Sequence, residues 1–242
     1  MLLCLGALSF SIQAQEGLDA PYEAGRGLIT LEGMSGMFIN PTSATLPKDA
    51  STLQYCVFFP NNRTDVVGHG LMGAYGLTDE FELGAIGNVV SFDGGDPSER
   101  AAAGPFARYR LTPQTDRLPQ VSIGAYSRLG DTALHKVGAF LAGYRRVPLT
   151  EDGLVRSVGF HAGGKQVWFD SDRPVDDSLS AYGGMELQFP LRVYAVGEIQ
   201  TKDSDIDRHV PFSYGLQWRA AGIAMSIAGI QNGSTDDVSF YY

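Results

Sequence analysis

Ala181–Gln200, AYGGMELQFPLRVYAVGEIQ, is the stretch that decides how this chain folds. Met185, Leu187 and Phe189 share one parity with Ala181 and Gly183, while Tyr182, Glu186 and Gln188 hold the other. After Pro190 the alternation resumes, with Leu191, Val193, Ala195 and Ile199 set against Arg192, Tyr194, Glu198 and Gln200. Successive side chains of a β-strand point to opposite faces, so this spacing predicts two strands, each greasy on one face and charged on the other. The compact join at Pro190 makes them a hairpin.

Working outward, the same reading recurs. Ala107, Tyr109 and Leu111 oppose Arg108 and Arg110, and Val121, Ile123 and Ala125 oppose Ser122, Tyr126 and Arg128. Phe81, Leu83 and Ala85 oppose Glu82 and Asn88. Toward the C-terminus, Phe212, Tyr214, Leu216 and Trp218 oppose Ser213, Gln217 and Arg219, and Ile223, Met225 and Ile227 oppose Ala224, Ser226 and Ala228. Val137–Val147 and Val155–Gly163 admit either parity. The segments run for roughly nine to eleven residues, the length a tilted strand needs to cross a bilayer.

The joins come in two kinds that alternate. Compact ones fall at Thr78-Asp79, Pro113–Arg117, Leu149–Gly153, Pro190 and Ala220-Ala221. Longer polar ones fall at Asn61–Asp65, Asp93–Arg100, Gly130–His135, Asp170–Asp177, Lys202–Arg208 and Asn232–Asp237. Short turns at one end and longer loops at the other are the habit of outer-membrane barrels, the short ones facing the periplasm. Counting from Leu53, the expected architecture is all-β: an antiparallel up-and-down transmembrane β-barrel of about twelve strands with both ends periplasmic. No stretch offers the ~20 consecutive apolar residues of a membrane-spanning helix.

A charged side chain on the lipid face of such a barrel costs ~2 to 4 kcal/mol near the midplane, which assigns the polar parity to the lumen. The expected lumen-lining residues are therefore Glu82, Arg108, Arg110, Arg128, Glu186, Arg192, Glu198 and Arg219. Such a wall can act as a constriction that selects on charge. It can equally be an internal ion-pair network filling a narrow lumen, the reading favoured for twelve strands.

Composition fits one β domain. The chain has 242 residues, 30 of them Gly, and a formal net charge of −9 without the basic stripe a nucleic acid would require. The uncharged MLLCLGALSFSIQA, residues 1–14, reads as a secretory signal peptide ending at Ala14, with a buried N-terminal strand or helix as the plainer alternative. Its basic n-region is missing, which points to a start upstream of Met1. Removal of this leader leaves Cys56 as the lone cysteine, excluding an intramolecular disulfide and a CxxC site. Residues 15–50 then form a periplasmic or plug-like segment, and residues 51–242 the barrel.

The last residues agree. Val238, Phe240 and Tyr242 share one parity, similar to the C-terminal aromatic signal that barrel-assembly machinery reads, although Ser234 and Asp236 fall where further apolar residues belong. Phe81, Phe169, Phe189, Phe212 and Trp218 lie near strand ends, where they can form interfacial girdles or simply pack.

Ahead of the first strand stand Gly27-Leu28-Ile29-Thr30-Leu31-Glu32-Gly33 and then Gly36-Met37-Phe38-Ile39-Asn40-Pro41-Thr42-Ser43-Ala44-Thr45-Leu46-Pro47-Lys48. Asn40, Pro41 and Thr42 read as a turn with side-chain groups capping the backbone, either an ordinary turn before the first strand or part of a plug at the periplasmic mouth. This stretch, continued through Tyr75-Gly76-Leu77-Thr78-Asp79 and Glu82-Leu83-Gly84, resembles the N-terminal segment of the YjbH-type exopolysaccharide-associated outer-membrane barrels. The resemblance implies a role in surface or exopolysaccharide export.

Chemistry is sparse. His69, His135, His161 and His209 lack metal-ligand spacing, and Asp203, Asp205 and Asp207 lack the glycine and trailing glutamate of a calcium loop. Asp170, Asp172, Asp176 and Asp177 read the same way, so no metal and no cofactor are expected. Ser157 and His161 are the one pair to weigh for a barrel-embedded lipid hydrolase, but neither sits in a nucleophile motif. The expected function is a non-enzymatic, porin-like outer-membrane barrel in contact with lipid and lipopolysaccharide, acting as a small channel or an export component. A soluble secreted or periplasmic β-barrel binding module is the alternative, and Ala and Gly at apolar-parity positions such as Ala107, Ala125, Gly183 and Ala195 weigh against its dense core.

Overall fold

The alternation of Ala181–Gln200 becomes, in a computed structural model, part of a single antiparallel sheet. The structure describes residues 10–14, 28–30, 35–59, 66–92, 99–130, 135–150, 152–169, 177–203, 207–220, 223–233 and 239–241. Three short strands come first: β1 (Phe10–Ala14), β2 (Leu28–Ile29) and β3 (Ser35–Gly36). Eleven up-and-down strands follow: β4 (Ser51–Phe59), β5 (Val66–Gly76), β6 (Phe81–Phe92), β7 (Glu99–Thr112), β8 (Gln120–Gly130), β9 (Lys136–Pro148), β10 (Ser157–Phe169), β11 (Ser178–Gln188), β12 (Val193–Gln200), β13 (Phe212–Ala220) and β14 (Ile223–Gln231). The short β15 (Ser239–Tyr241) ends the series. Each of the eleven hydrogen-bonds to its neighbours in sequence, and β2 pairs separately with β3.

Twelve strands were expected, and the twelfth position is filled differently from the other eleven. β15 pairs with β4 through Phe240↔Phe59 and Tyr241↔Phe58, and with β14 through Tyr241↔Ala228. β1 pairs with the same two strands, through Phe10↔Tyr55 and Ser11↔Ala224. Two short pieces from opposite ends of the chain therefore lie in line between β4 and β14. Phe10–Ala14 belongs to the stretch that reads as a leader, and here it is a strand. Val238, Tyr242, Ser234 and Asp236 of the terminal signal lie outside the described residues, as do Asp170, Asp172, Asp176, Asp205 and the middles of the long joins.

Side-chain burial follows the expected parity, with large apolar side chains on the exposed face and charged, polar and further apolar side chains on the buried one. Leu53, Leu71, Leu141, Phe160, Leu179, Ile199, Tyr214 and Leu216 are each at least half exposed on the outward face. The alternate positions, with Glu82, Arg108, Ser122, Glu186 and Gln217, are buried. In β9 and β10, whose parity the sequence left open, the inward positions are Phe140, Ala142 and Tyr144 and then Ser157, His161 and Lys165. Both faces of β9 are apolar, which is why alternation failed there.

The β11–β12 hairpin turns at Pro190–Arg192, where Leu191 and Arg192 adopt φ of 59° and 61°. Phe189 donates its N–H to the Val193 carbonyl at 2.8 Å and closes a three-residue turn, whose last two residues are left-handed. Arg192 was expected to line the lumen. It is instead exposed in this turn, because Val193 rather than Leu191 begins β12.

Candidate functional site

The interior of the sheet is filled by the chain's own N-terminal segment. Met37 through Leu46 are all buried, including Asn40, Pro41, Thr42, Ser43 and Thr45. Pro41 and Pro47 have no N–H to give to a ladder, and the segment lacks strand alternation. Its buried amides and carbonyls must then find side-chain partners. The inward polar residues of the strands supply them.

Glu198 on β12 is the main anchor. Its Oε1 accepts the backbone N–H of Phe38 at 2.7 Å and of Ile39 at 2.6 Å, and its Oε2 accepts the backbone N–H of Asn40 at 3.1 Å and the Asn40 amide at 2.9 Å. Ser213 on β13 adds its hydroxyl at 2.7 Å. Three consecutive backbone N–H groups closing on one carboxylate form an anion-binding nest. The charge belongs to the sheet and the nest to the segment.

The remaining contacts descend along the segment. Gln217 donates to the Met37 carbonyl at 3.1 Å, Tyr182 to that of Pro41 at 2.9 Å, and Gln120 to that of Ser43 at 2.9 Å, which Ser122 also meets. Arg108 donates to the Ala44 carbonyl, and Glu82 accepts the Leu46 N–H at 2.7 Å. Thr45 and Lys48 fix the lower end on Asp79. Close approach demands glycine at Gly76, where a Cβ would run into the Pro47 and Leu46 carbonyls of the segment.

A second cluster adjoins the first. Arg219 and Glu186, both buried, form an ion pair at 2.9 Å. Arg219 also donates to Gln217 and stacks over the Tyr194 ring at 4.1 Å, while Tyr144 donates to Glu186 at 2.9 Å. Since Gln217 also holds Met37, the ion pair is linked to the segment through one side chain.

Seven of the eight expected lumen residues thus lie on the inward parity: Glu82, Arg108, Arg128, Glu186, Glu198 and Arg219 are buried, and Arg110 is half-buried at the end of β7. Only Arg192 departs. Asn40, Pro41 and Thr42, for which an ordinary turn was the plainer reading, are buried among them. Sequence reading missed Gln120, Tyr182 and Gln217 as partners of the segment. Their shared inward parity was legible, but nothing in the sequence placed the segment against it.

The Ser157–His161 pair does not assemble. Four residues along one strand span roughly 13 Å. Ser157 donates to Gln188 at 2.7 Å and receives Arg146, whereas the His161 ring packs on Tyr144 at 4.6 Å and lies 4.0 Å from Glu186. His69 faces outward with its Nδ1 at 2.7 Å from the Tyr55 hydroxyl, and His209 is exposed. Among the described residues no three His, Cys, Asp or Glu side chains converge as a metal site requires. In the loop after β12, Asp207 accepts the Asp203 N–H at 3.0 Å and donates its own N–H to the Asp203 carbonyl at 2.7 Å. Burial holds the Asp207 carboxyl above the usual aspartate range. No protein-family model, curated protein or solved structure matches the chain.

Proposed function

We propose that this chain is a bacterial outer-membrane β-barrel whose lumen is occluded by its own residues 36–50, a non-enzymatic gated channel or export component that rests closed. The observation that carries this reading is the apolar outward face of the sheet: large apolar side chains face out along strand after strand, while Glu82, Arg108, Glu186, Glu198 and Arg219 are among the buried residues within. A soluble barrel gains its stability from the opposite arrangement. Hydrocarbon is the surrounding in which this one is favourable.

Closure of the sheet is part of the proposal. The pairings of β1 and β15 with both β4 and β14 support it, since a spanning sheet with free edges would leave N–H and C=O groups unpaired in lipid. Resting closure follows from the segment's anchors. Several hydrogen bonds to ionised side chains, each worth roughly 1.5 to 3 kcal/mol, hold it across the lumen, so passage of a solute requires the segment to move.

Export through a cleaved leader, contact with lipopolysaccharide and insertion by assembly machinery complete the reading. The likeness of residues 27–84 to YjbH-type barrels supports an export role over a general pore. The test is electrophoretic mobility of the protein extracted from membranes in mild detergent, boiled and unboiled. A faster unboiled band from a detergent-requiring protein is the expected result; a monomer soluble without detergent and unshifted on boiling would remove the membrane reading in favour of a secreted binding module.

A further inference from the structure

We infer that the short-turn end of the sheet, from the end of β7 to the start of β12, is a surface that binds the headgroups of anionic phospholipids in the leaflet meeting those turns. The inference rests on the barrel reading above.

Apolar and cationic side chains coincide along this arc. The turns after β7, β9 and β11 each expose a leucine close in sequence to an exposed arginine: Leu118 with Arg117, Leu154 with Arg156, and Leu191 with Arg192. Leu154 and Leu191 are 76% and 82% exposed. Arg110 at the end of β7 and Arg145 and Arg146 near the end of β9 bring the arginines to six. Against them the described residues of the three turns set Asp116 and Asp152, and the sequence adds Glu151, which lies outside the described residues. The nearest further acids, Asp79 and Glu80, belong to the β5–β6 turn, where Asp79 accepts the Lys48 N–H and Glu80 the Thr78 hydroxyl. The long joins that alternate with these turns hold more aspartate than arginine and lysine, so the basic arc is local in a chain of net charge −9.

Hydrogen bonds make the three turns one surface. Arg145 donates to the Asp116 carbonyl at 2.9 Å, and Gln114 exchanges hydrogen bonds with the Arg146 backbone at 2.8 and 3.0 Å. Arg146 in turn donates to Ser157 and Gln188. Arg117, Arg156 and Arg192 enter no ion pair among the described residues.

Leucine and arginine repeated at one level match the boundary between hydrocarbon and headgroups. Leucine reaches the acyl edge, while the guanidinium, a planar fork of N–H donors, pairs a phosphate bidentately. A phosphatidylglycerol headgroup has no cation of its own to compete for that phosphate, whereas phosphatidylcholine carries an ammonium beside it. Charge complementarity therefore selects the anionic lipid.

The experiment reconstitutes the full-length protein, purified from membranes, into phosphatidylcholine vesicles holding trace spin-labelled phosphatidylglycerol or spin-labelled phosphatidylcholine. The motionally restricted fraction of each label is read at low salt. Phosphatidylglycerol is expected to be held about fivefold more strongly than phosphatidylcholine, a preference that largely disappears in Arg117→Gln/Arg156→Gln/Arg192→Gln and persists in Arg208→Gln, placed in the loop after β12. Heat-modifiable mobility checks that the triple variant is folded; Arg156→Gln alone, in a turn, is expected to lower the preference in part and serves where the triple variant misfolds. Equal retention of the two lipids by the unaltered protein would overturn the inference and leave the arc to an acidic protein segment, and a preference that the arginine substitutions leave intact would overturn it as well. The barrel reading fails separately, before any lipid is added, in a protein soluble without detergent and unshifted on boiling.

Discussion

Asn40 donates both its backbone N–H, at 3.1 Å, and its side-chain amide, at 2.9 Å, to one carboxylate oxygen of Glu198, 158 residues further along the chain. This contact ties the N-terminal segment to the sheet. Replacing Glu198 by Gln keeps the volume but turns one acceptor oxygen into a donor facing donors. With Ser43→Cys as reporter in a Cys56→Ser background, the Glu198→Gln change is expected to raise labelling by a water-soluble maleimide about tenfold, corresponding to ~1.4 kcal/mol of eased opening. Unchanged labelling would mean that Glu198 does not hold the segment.

The Arg219–Glu186 pair is buried on both sides. Removing one partner strands the other charge, so Glu186→Gln is expected to lower stability by roughly 3 to 5 kcal/mol, read from detergent unfolding. The double change Glu186→Leu with Arg219→Met is expected to recover most of that loss. Additive losses instead would show that the residues act separately.

Leu191 and Arg192 hold left-handed backbone that suits Asn and Gly. Leu191→Asn with Arg192→Gly is expected to stabilise the protein by about 1 kcal/mol through relief of that strain. The Trp218 indole N–H donates to the Leu191 carbonyl at 3.0 Å, a backbone contact that the change preserves.

The outward face gives a third stability test. Leu141→Arg or Leu216→Arg is expected to cost ~2 to 4 kcal/mol in bilayers, while the same substitution at Leu191, in the turn, costs little. Equal tolerance at all three sites would place the outward face in water.

Asp207 supplies a pH dependence outside the strands. A carboxyl raised in the folded state is stabilising while protonated: its contribution is complete below the ordinary aspartate value and is lost as pH rises through the raised one. Order in the loop after β12 is therefore expected to fall with rising pH across that window. Asp207→Asn, which keeps an acceptor for the Asp203 N–H, should flatten the dependence when exchange at Asp203 is compared between the two proteins.

The strands were legible because a two-faced strand writes its faces into alternate residues, as in Met185, Leu187 and Glu186. The compact and long joins were legible because Pro, Gly and Asp gather there. Alternation failed in β9, where the inward Phe140 and Tyr144 are aromatic and the outward Val137 and Leu141 apolar, since the inward rings meet Arg108 and Glu186 contributed by other strands. Arg192 was misplaced because alternation runs through the three-residue turn Pro190–Arg192 without a break. The filled interior was the least legible feature. Glu198 and Asn40 meet through tertiary geometry alone, and neither residue's sequence neighbourhood names the other.

The most direct test of the central claim is a nitroxide scan along β11 in reconstituted bilayers, reading relaxation by oxygen, which enriches in lipid, and by a water-soluble nickel complex. The account predicts that spin labels at Leu179, Ala181, Met185 and Leu187 meet oxygen and not nickel, while labels at Ser180, Tyr182 and Glu186 meet little of either. Nickel access at Leu179, Met185 and Leu187 equal to that of the exposed turn at Leu191 would contradict it, because the apolar face would then lie in water.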